Sequence, residues 1–300
     1  VSATTTVAGA ALSATASGKR ESPVTPLPTI QLGSHSITRL VAGWNPIGGY
    51  SYLGPNMDQH MREYFSEDRT AEFLQRCERN GITAHQFDPS EMMVKVLRRV
   101  REAGSGMKFI CLHSADSGHG TVEQVAETTD PIAFAHHGGV TDRLFREGKA
   151  QQVRDYVKRA HDLGFLAGVS AHNPENIKRI ADEDWENDFF MTCFHYLTRL
   201  NDHPELEADV KTIGKAFYKS DPEEMSRVVR QVGKPCLAFK ILAAGRSGFS
   251  RNGVSEAFEY AFQNIKPIDA VIVGMYPRFK DEIGENAELT RRFGQTDVLS

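Results

Sequence analysis

Eight short apolar runs, most of them separated by enough chain for one amphipathic helix, constrain this sequence more than any other feature. They fall at residues 39–43, 82–87, 108–113, 131–136, 166–170, 189–195, 236–240 and 270–273. Several are apolar without interruption, such as Phe109-Ile110-Cys111-Leu112 and Ala270-Val271-Ile272-Val273. Strands buried on both faces of a parallel sheet require that pattern. Helix signals lie between them. Ser66 followed by Glu67 and Asp68 reads as an N-cap and an acidic first turn, and Asn80-Gly81 as a stop. Pro174 stands at a favoured first helical position. Eight strand–helix units predict a closed (β/α)8 TIM barrel rather than an open doubly wound sheet. A hairpin precedes it, turning at Gly33-Ser34.

The chain's 300 residues suit one such barrel, and a single barrel domain is expected over 26–300. Residues 1–18 are almost all Ala, Ser, Thr, Val and Gly, and Ala14-Thr15-Ala16 fits a small-residue cleavage site. Residues 1–25 are therefore expected to be the remnant of a bacterial export signal, of twin-arginine type, plus a Pro-containing linker. This predicts an exported, periplasmic protein. The net charge is −4 with acidic and basic residues interleaved, so nucleic acid is not an expected partner. No run is long enough to span a membrane. None of the four cysteines forms a Cys-x-x-Cys pair, and they read as buried thiols. The expected partner is a small-molecule substrate.

In a barrel, the residues at the C-terminal ends of the strands surround the active site. Six of the 11 histidines fall there: His85, His113, His136, His137, His172 and His195. Lys240 ends the seventh run. This ring marks the expected functional mouth. Two chemistries compete for it. His85, His172 and His195 are candidate ligands for a divalent transition metal, although no local His-x-His spacing supports them. Alternatively, histidines that titrate near neutrality move protons, with Lys240 as base, Schiff-base former or electrostatic clamp. A Gly-rich loop carries Trp44, Tyr50 and Tyr52, either as a sugar-stacking platform or as ordinary packing. Strand alternation predicts that only one of His136 and His137 points inward.

These residues resemble the aldo/keto reductase superfamily. The similar segments run in order over residues 30–293: Leu32-Gly33 through Leu40 and Gly43, Phe87-Asp88, Gly168-Val169-Ser170 with His172-Asn173-Pro174, Asp188 to Arg199, and Val273-Gly274-Met275 with Glu285-Asn286. The resemblance implies that the hairpin plugs the barrel bottom. It also implies catalytic Asp88, a histidine at His136 or His137, and substrate or NADP contacts at Trp44, Asn45, Glu91, Phe194, Gly274 and Arg278. Two of the family's catalytic positions depart. No tyrosine stands in the segment after Asp88, and His113 replaces the lysine. The tyrosine is the family's proton donor, so ordinary NADPH-dependent reduction is expected to be crippled. The expected function is therefore His/Asp acid–base chemistry on a small polar carbonyl or sugar-like molecule. Asp88, His113, His137 and Lys240 would act in an isomerase, lyase or hydrolase reaction, with possible metal assistance. The alternatives are an NAD(P)H oxidoreductase with a histidine as its acid, and a non-catalytic sugar-binding barrel.

Overall fold

The structure, a computed structural model, describes residues 25–207 and 215–296. The expected export segment falls on residues 1–24, outside the described residues.

Two strands form an antiparallel hairpin, β1 (Thr29–Leu32) and β2 (His35–Thr38). Eight more close a parallel barrel: β3 (Leu40–Gly43), β4 (Ala84–Phe87), β5 (Lys108–His113), β6 (Ala133–His136), β7 (Leu166–Ala171), β8 (Phe189–Cys193), β9 (Cys236–Phe239) and β10 (Ala270–Gly274). They pair in sequence order, and β10 returns to β3.

Alternation divides each strand between two cores. Val41, Ala84, Ile110, Ala133, Ala135, Met191, Leu237 and Ile272 fill the barrel, where they meet Ile30, Leu32 and Ile37 of the hairpin. The hairpin is therefore a plug. Its turn uses Gly33 at φ +58°, where a Cβ would sit 2.7 Å from Leu166 Cδ2. The alternate residues, among them Leu40, Ala42, Phe87, Phe109, Cys111, Phe134 and Phe190, face the surrounding helices. All four cysteines are buried and free.

The expected helix signals act as read. Ser66 caps helix Glu67–Arg79 by accepting from Arg69 N at 3.4 Å, and Asn173 caps helix Pro174–Asp182 by accepting from Glu175 N at 2.9 Å. Helices Pro55–Tyr64, Val122–Thr129, Gly138–Arg146 and Gly253–Asn264 lie in stretches where no helix was anticipated. Short glycine-rich beginnings hide two of them, Gly138-Gly139 and Gly253. Among the described residues no helix is long and apolar enough to cross a membrane.

Candidate active site at the barrel mouth

A cavity of 490 Å³ opens at the C-terminal end of the barrel. Its floor is the uppermost inward layer of side chains: Gln86, Leu112, Ser170, Met191, Phe239 and Ile272. Gly43 and Gly274 end the neighbouring strands β3 and β10 in its wall. A Cβ on Gly43 would lie 2.9 Å from Gly274 N, and one on Gly274 would lie 2.7 Å from Pro46 Cδ. Glycines there let the short helix Asn45–Gly48 settle onto the rim, which brings Trp44, Asn45, Tyr50 and Tyr52 to the cavity.

Of the histidine ring, two members reach this cavity, His137 and His172. His172 follows β7, and its Nδ1 lies 3.0 Å from Asp142 Oδ2. Asp142 is fully buried on helix Gly138–Arg146. It also accepts from His172 N (2.9 Å), Asn176 Nδ2 (2.9 Å), Asn173 N (3.3 Å) and Thr198 Oγ1 (3.2 Å). Burial opposes ionisation of that carboxyl, but the donors around it outweigh burial and hold it below the usual carboxylate range. A carboxylate on Nδ1 fixes the imidazole tautomer and leaves Nε2 as the basic nitrogen for the cavity. Burial also pushes the His172 imidazole below its ordinary value, against the pull of Asp142.

His137 sits after β6 with its Nδ1 buried and without a hydrogen-bond partner. Burial, then neighbouring His172 and Lys240, take its pKa down to about 4. Trp44 Nε1, Gln86 Nε2 and Ser170 Oγ are likewise buried without partners in residues that line the cavity. Native interiors rarely leave such groups unsatisfied without a ligand or water to meet them. Lys240 completes the set. Its Nζ lies 4.8 Å from the ring centres of both Tyr52 and Phe239, and among the described residues it has no ion-pair partner.

The other expected site residues are elsewhere, and strand alternation explains most of them. His85 points outward from β4. Its Nδ1 donates to the Ala42 carbonyl at 2.9 Å, and burial takes its pKa to about 4. His113 points outward from β5, with Nδ1 at 3.3 Å from Tyr156 Oη and Nε2 at 3.1 Å from the Gly120 carbonyl. His136 does the same from β6, with Nδ1 at 2.8 Å from Thr141 Oγ1. His113, His136 and Tyr156 line a separate cleft among the outer helices. The inward member of the His136–His137 pair is thus His137.

Asp88 follows the end of β4 and pairs with His119 Nε2 at 2.9 Å; it does not line the cavity itself, although, after burial, its charge helps raise the pKa of Tyr50, which does. Burial raises the Asp88 pKa, with His119 opposing. Glu91 is on the outer face of helix Glu91–Glu102, 88% exposed and paired with Lys95 at 2.9 Å. Phe194 is buried outside the barrel with its ring 6.5 Å from that of Tyr260. His195 packs on Phe217 at 5.0 Å, and its Nδ1 is 3.7 Å from Asp221 Oδ2, beyond hydrogen-bond reach. Arg278 covers the Tyr64 and Phe279 rings at 5.8 and 5.7 Å. The three proposed metal ligands therefore do not converge. Among the described residues no group of three His, Cys, Asp or Glu side chains is placed to hold a metal.

Ahead of helix Asp221–Gln231 the chain packs at the mouth: Phe217 meets Tyr52 edge-on at 6.2 Å, and Arg246 covers it at 4.0 Å. Asp142 escaped the sequence reading. Its signal was an acidic residue on the helix face shared by Gly138, Thr141 and Phe145, where an apolar residue is the rule.

The backbone path is similar to that of several solved structures. An aldo/keto reductase from Brucella melitensis matches with a TM-score of 0.51 at 11% identity, over 92% of this chain and 95% of that one. The holo form of the aldo-keto reductase AKR11C1 from Bacillus halodurans matches with a TM-score of 0.52 at 11% identity, over 91% and 93%. A variant of Gox0644 in complex with NADPH matches with a TM-score of 0.54 at 13% identity, over 88% of each chain. The fold is that of the aldo/keto reductases. No protein-family model matches the sequence, and no curated protein matches it either. At such identities the likeness extends to the backbone path, and the mouth residues are this chain's own.

Proposed function

We propose that this aldo/keto-reductase-like barrel is an enzyme that transfers protons on a small, hydroxylated carbonyl compound, in an isomerase or lyase reaction. One observation carries the reading: a buried carboxylate, Asp142, holds one nitrogen of His172 and leaves the other for a cavity lined by polar atoms without partners. A neutral imidazole held this way is a general base. His137, kept neutral by burial, is the second proton carrier. The Lys240 cation faces the same cavity and suits the oxyanion that grows on a carbonyl as its neighbouring carbon loses a proton. Gln86, Ser170 and Trp44 offer hydrogen bonds to hydroxyl groups.

Of the residues assigned to substrate or NADP, Trp44, Asn45 and Gly274 line the cavity, whereas Glu91, Phe194 and Arg278 do not. For NADP, Phe194 faces away from the cavity and cannot stack on a nicotinamide. At the cavity rim, Lys280 is paired with Glu285 at 2.7 Å. The start of helix Glu282–Phe293 is capped by Asp281, and the Glu282 carboxylate accepts from Tyr276 N at 2.6 Å. Carboxylates thus hold the helix end that a phosphate would need. For a metal, His85 and His195 stand apart from His172.

The test is solvent exchange. The protein is incubated in D2O with dihydroxyacetone, glyceraldehyde and pyruvate, and deuterium at the carbon beside the carbonyl is read by mass spectrometry. The reading expects exchange that His172→Ala reduces by about 10²–10⁴-fold. Binding of these compounds with no exchange would instead support a non-catalytic barrel.

A further inference from the structure

Lys240 is more than a cation at the rim. The backbone holds it at φ +60°, a left-handed conformation that side chains other than glycine seldom adopt, and Ala243 (φ +49°) and Ala244 (φ +51°) follow in the same region. Three such residues in one short loop are costly unless the surroundings demand them, and strain of this kind gathers at functional sites. Strand β9 ends at Phe239, and the turn that follows carries the Lys240 side chain to the cavity. There the aromatic faces of Tyr52 and Phe239 flank Nζ, and among the described residues no carboxylate pairs with it. A lysine kept only as a counter-charge is expected to have an acidic partner. This one instead shares a cavity with two imidazoles.

We infer that Lys240 is a covalent catalyst that binds the substrate carbonyl as an imine. The inference rests on the proton-transfer reading above and specifies how the carbonyl is activated. The ammonium gives one proton to an imidazole, and the Nζ lone pair attacks the carbonyl carbon. A C–N bond forms while the C=O π pair becomes an alkoxide, which takes a proton. The nitrogen then gives its second proton to an imidazole, that proton passes to the carbinolamine hydroxyl, which leaves as water, and the freed nitrogen lone pair closes the C=N bond. The net change is ammonium plus carbonyl to protonated imine plus water, with nothing oxidised or reduced. His137 and His172 are the groups that carry these protons and then remove one from the carbon beside the imine. The ligand class is a small aldehyde or ketone with a hydrogen on that carbon.

The experiment is borohydride trapping. Protein is mixed with dihydroxyacetone, glyceraldehyde or pyruvate, treated with sodium borohydride, digested and mapped by mass spectrometry. The expected result is one modified peptide containing Lys240, heavier by the probe less one oxygen atom. Lys240→Arg keeps the charge but forms no such adduct, and is expected to lose both the label and about 100-fold or more of the deuterium exchange. His172→Ala, which leaves the lysine in place, is expected to keep a label at Lys240 formed more slowly. No label at Lys240 with any probe overturns the inference, as does exchange undiminished in Lys240→Arg. Exchange without a label removes the imine and leaves the proton-transfer reading standing. Absence of both removes the two together.

Discussion

His136 and His137 are neighbours in sequence, yet they belong to different parts of the molecule. His136 turns out from β6, bonds Thr141 and stands 4.9 Å from the Tyr156 ring among the helices. His137 turns in and lines the mouth with an unpartnered nitrogen. The same division runs around the barrel. His113 faces outward with both nitrogens hydrogen-bonded and His85 faces outward with Nδ1 bound to the Ala42 carbonyl and Nε2 buried without a partner, whereas His172 faces the cavity with Nδ1 held by Asp142. A histidine at a strand end is thus structural or chemical according to which side of the strand it occupies. The inward pair and the outward set should respond in opposite ways to substitution.

The largest effect on activity is expected at the inward pair and its carboxylate. Asp142→Asn should lower deuterium exchange by about 10²-fold or more, because an amide no longer selects the His172 tautomer or supports its charge. Unfolding by urea should show a loss on the order of 1–3 kcal/mol as well, since several donors lose a charged acceptor. The outward set gives the contrast. His113→Ala should cost about 1–3 kcal/mol of stability by stranding Tyr156 Oη and the Gly120 carbonyl. Its exchange rate should match the parent. A His113→Ala protein that folds normally but has lost activity would erase the distinction between the two faces.

Acid should separate them further. Burial holds His85 and His137 near about 4 and His136 near about 3, whereas an unfolded histidine titrates near 6.5. Between those values the unfolded chain binds more protons than the folded one. Stability is therefore full above pH 6.5 and falls as the pH drops toward 4. Melting temperature measured from pH 7.5 to 4.5 should decline over that interval, and His136→Phe should flatten part of the slope. Activity should follow a different course. Burial holds both His172 and His137 below the ordinary imidazole value, so the acid limb of exchange should lie below 6.5. An acid limb at 6.5 would mean that the working base is an exposed histidine instead.

Much of this was legible in the sequence, and the limits are physical. Continuous apolar runs announce buried parallel strands, so the barrel and the ends of β5 agree with the expectation to the residue. The plug follows from a hairpin with alternating apolar residues at Ile30, Leu32 and Ile37. The location of the mouth was also readable, because strand ends converge in any such barrel. The direction of each side chain was not. A run that is apolar on both faces does not say which alternate set of residues points inward, so His85 and His113, at correctly placed strand ends, fell on the outward set. Phe194 and His195 failed for a different reason: β8 ends at Cys193, two residues earlier than expected, so neither is carried into the barrel. Asp142 was invisible because its partners arrive from 30 or more residues away in sequence, at His172, Asn176 and Thr198.

The smallest expected effect is at Glu91, where family resemblance and structure disagree most directly. The resemblance assigns it to the site; the structure places its carboxylate 88% exposed on the outer face of a helix, one turn before Lys95. An exposed pair of this kind contributes little to stability, and less at high salt. Glu91→Gln should therefore leave urea unfolding almost unchanged and deuterium exchange at the parent rate. The change also leaves the Ser90 cap, which accepts from Met93 N at 3.4 Å, in place. If the substitution instead abolished exchange while the fold survived, the helix start after β4 would have to turn toward the mouth during the reaction. Asp88 would then move with it, and its pairing with His119 would be a resting arrangement rather than the working one. An unchanged rate fixes the chemistry on the opposite side of the barrel, where β6, β7 and β9 deliver His137, His172 and Lys240.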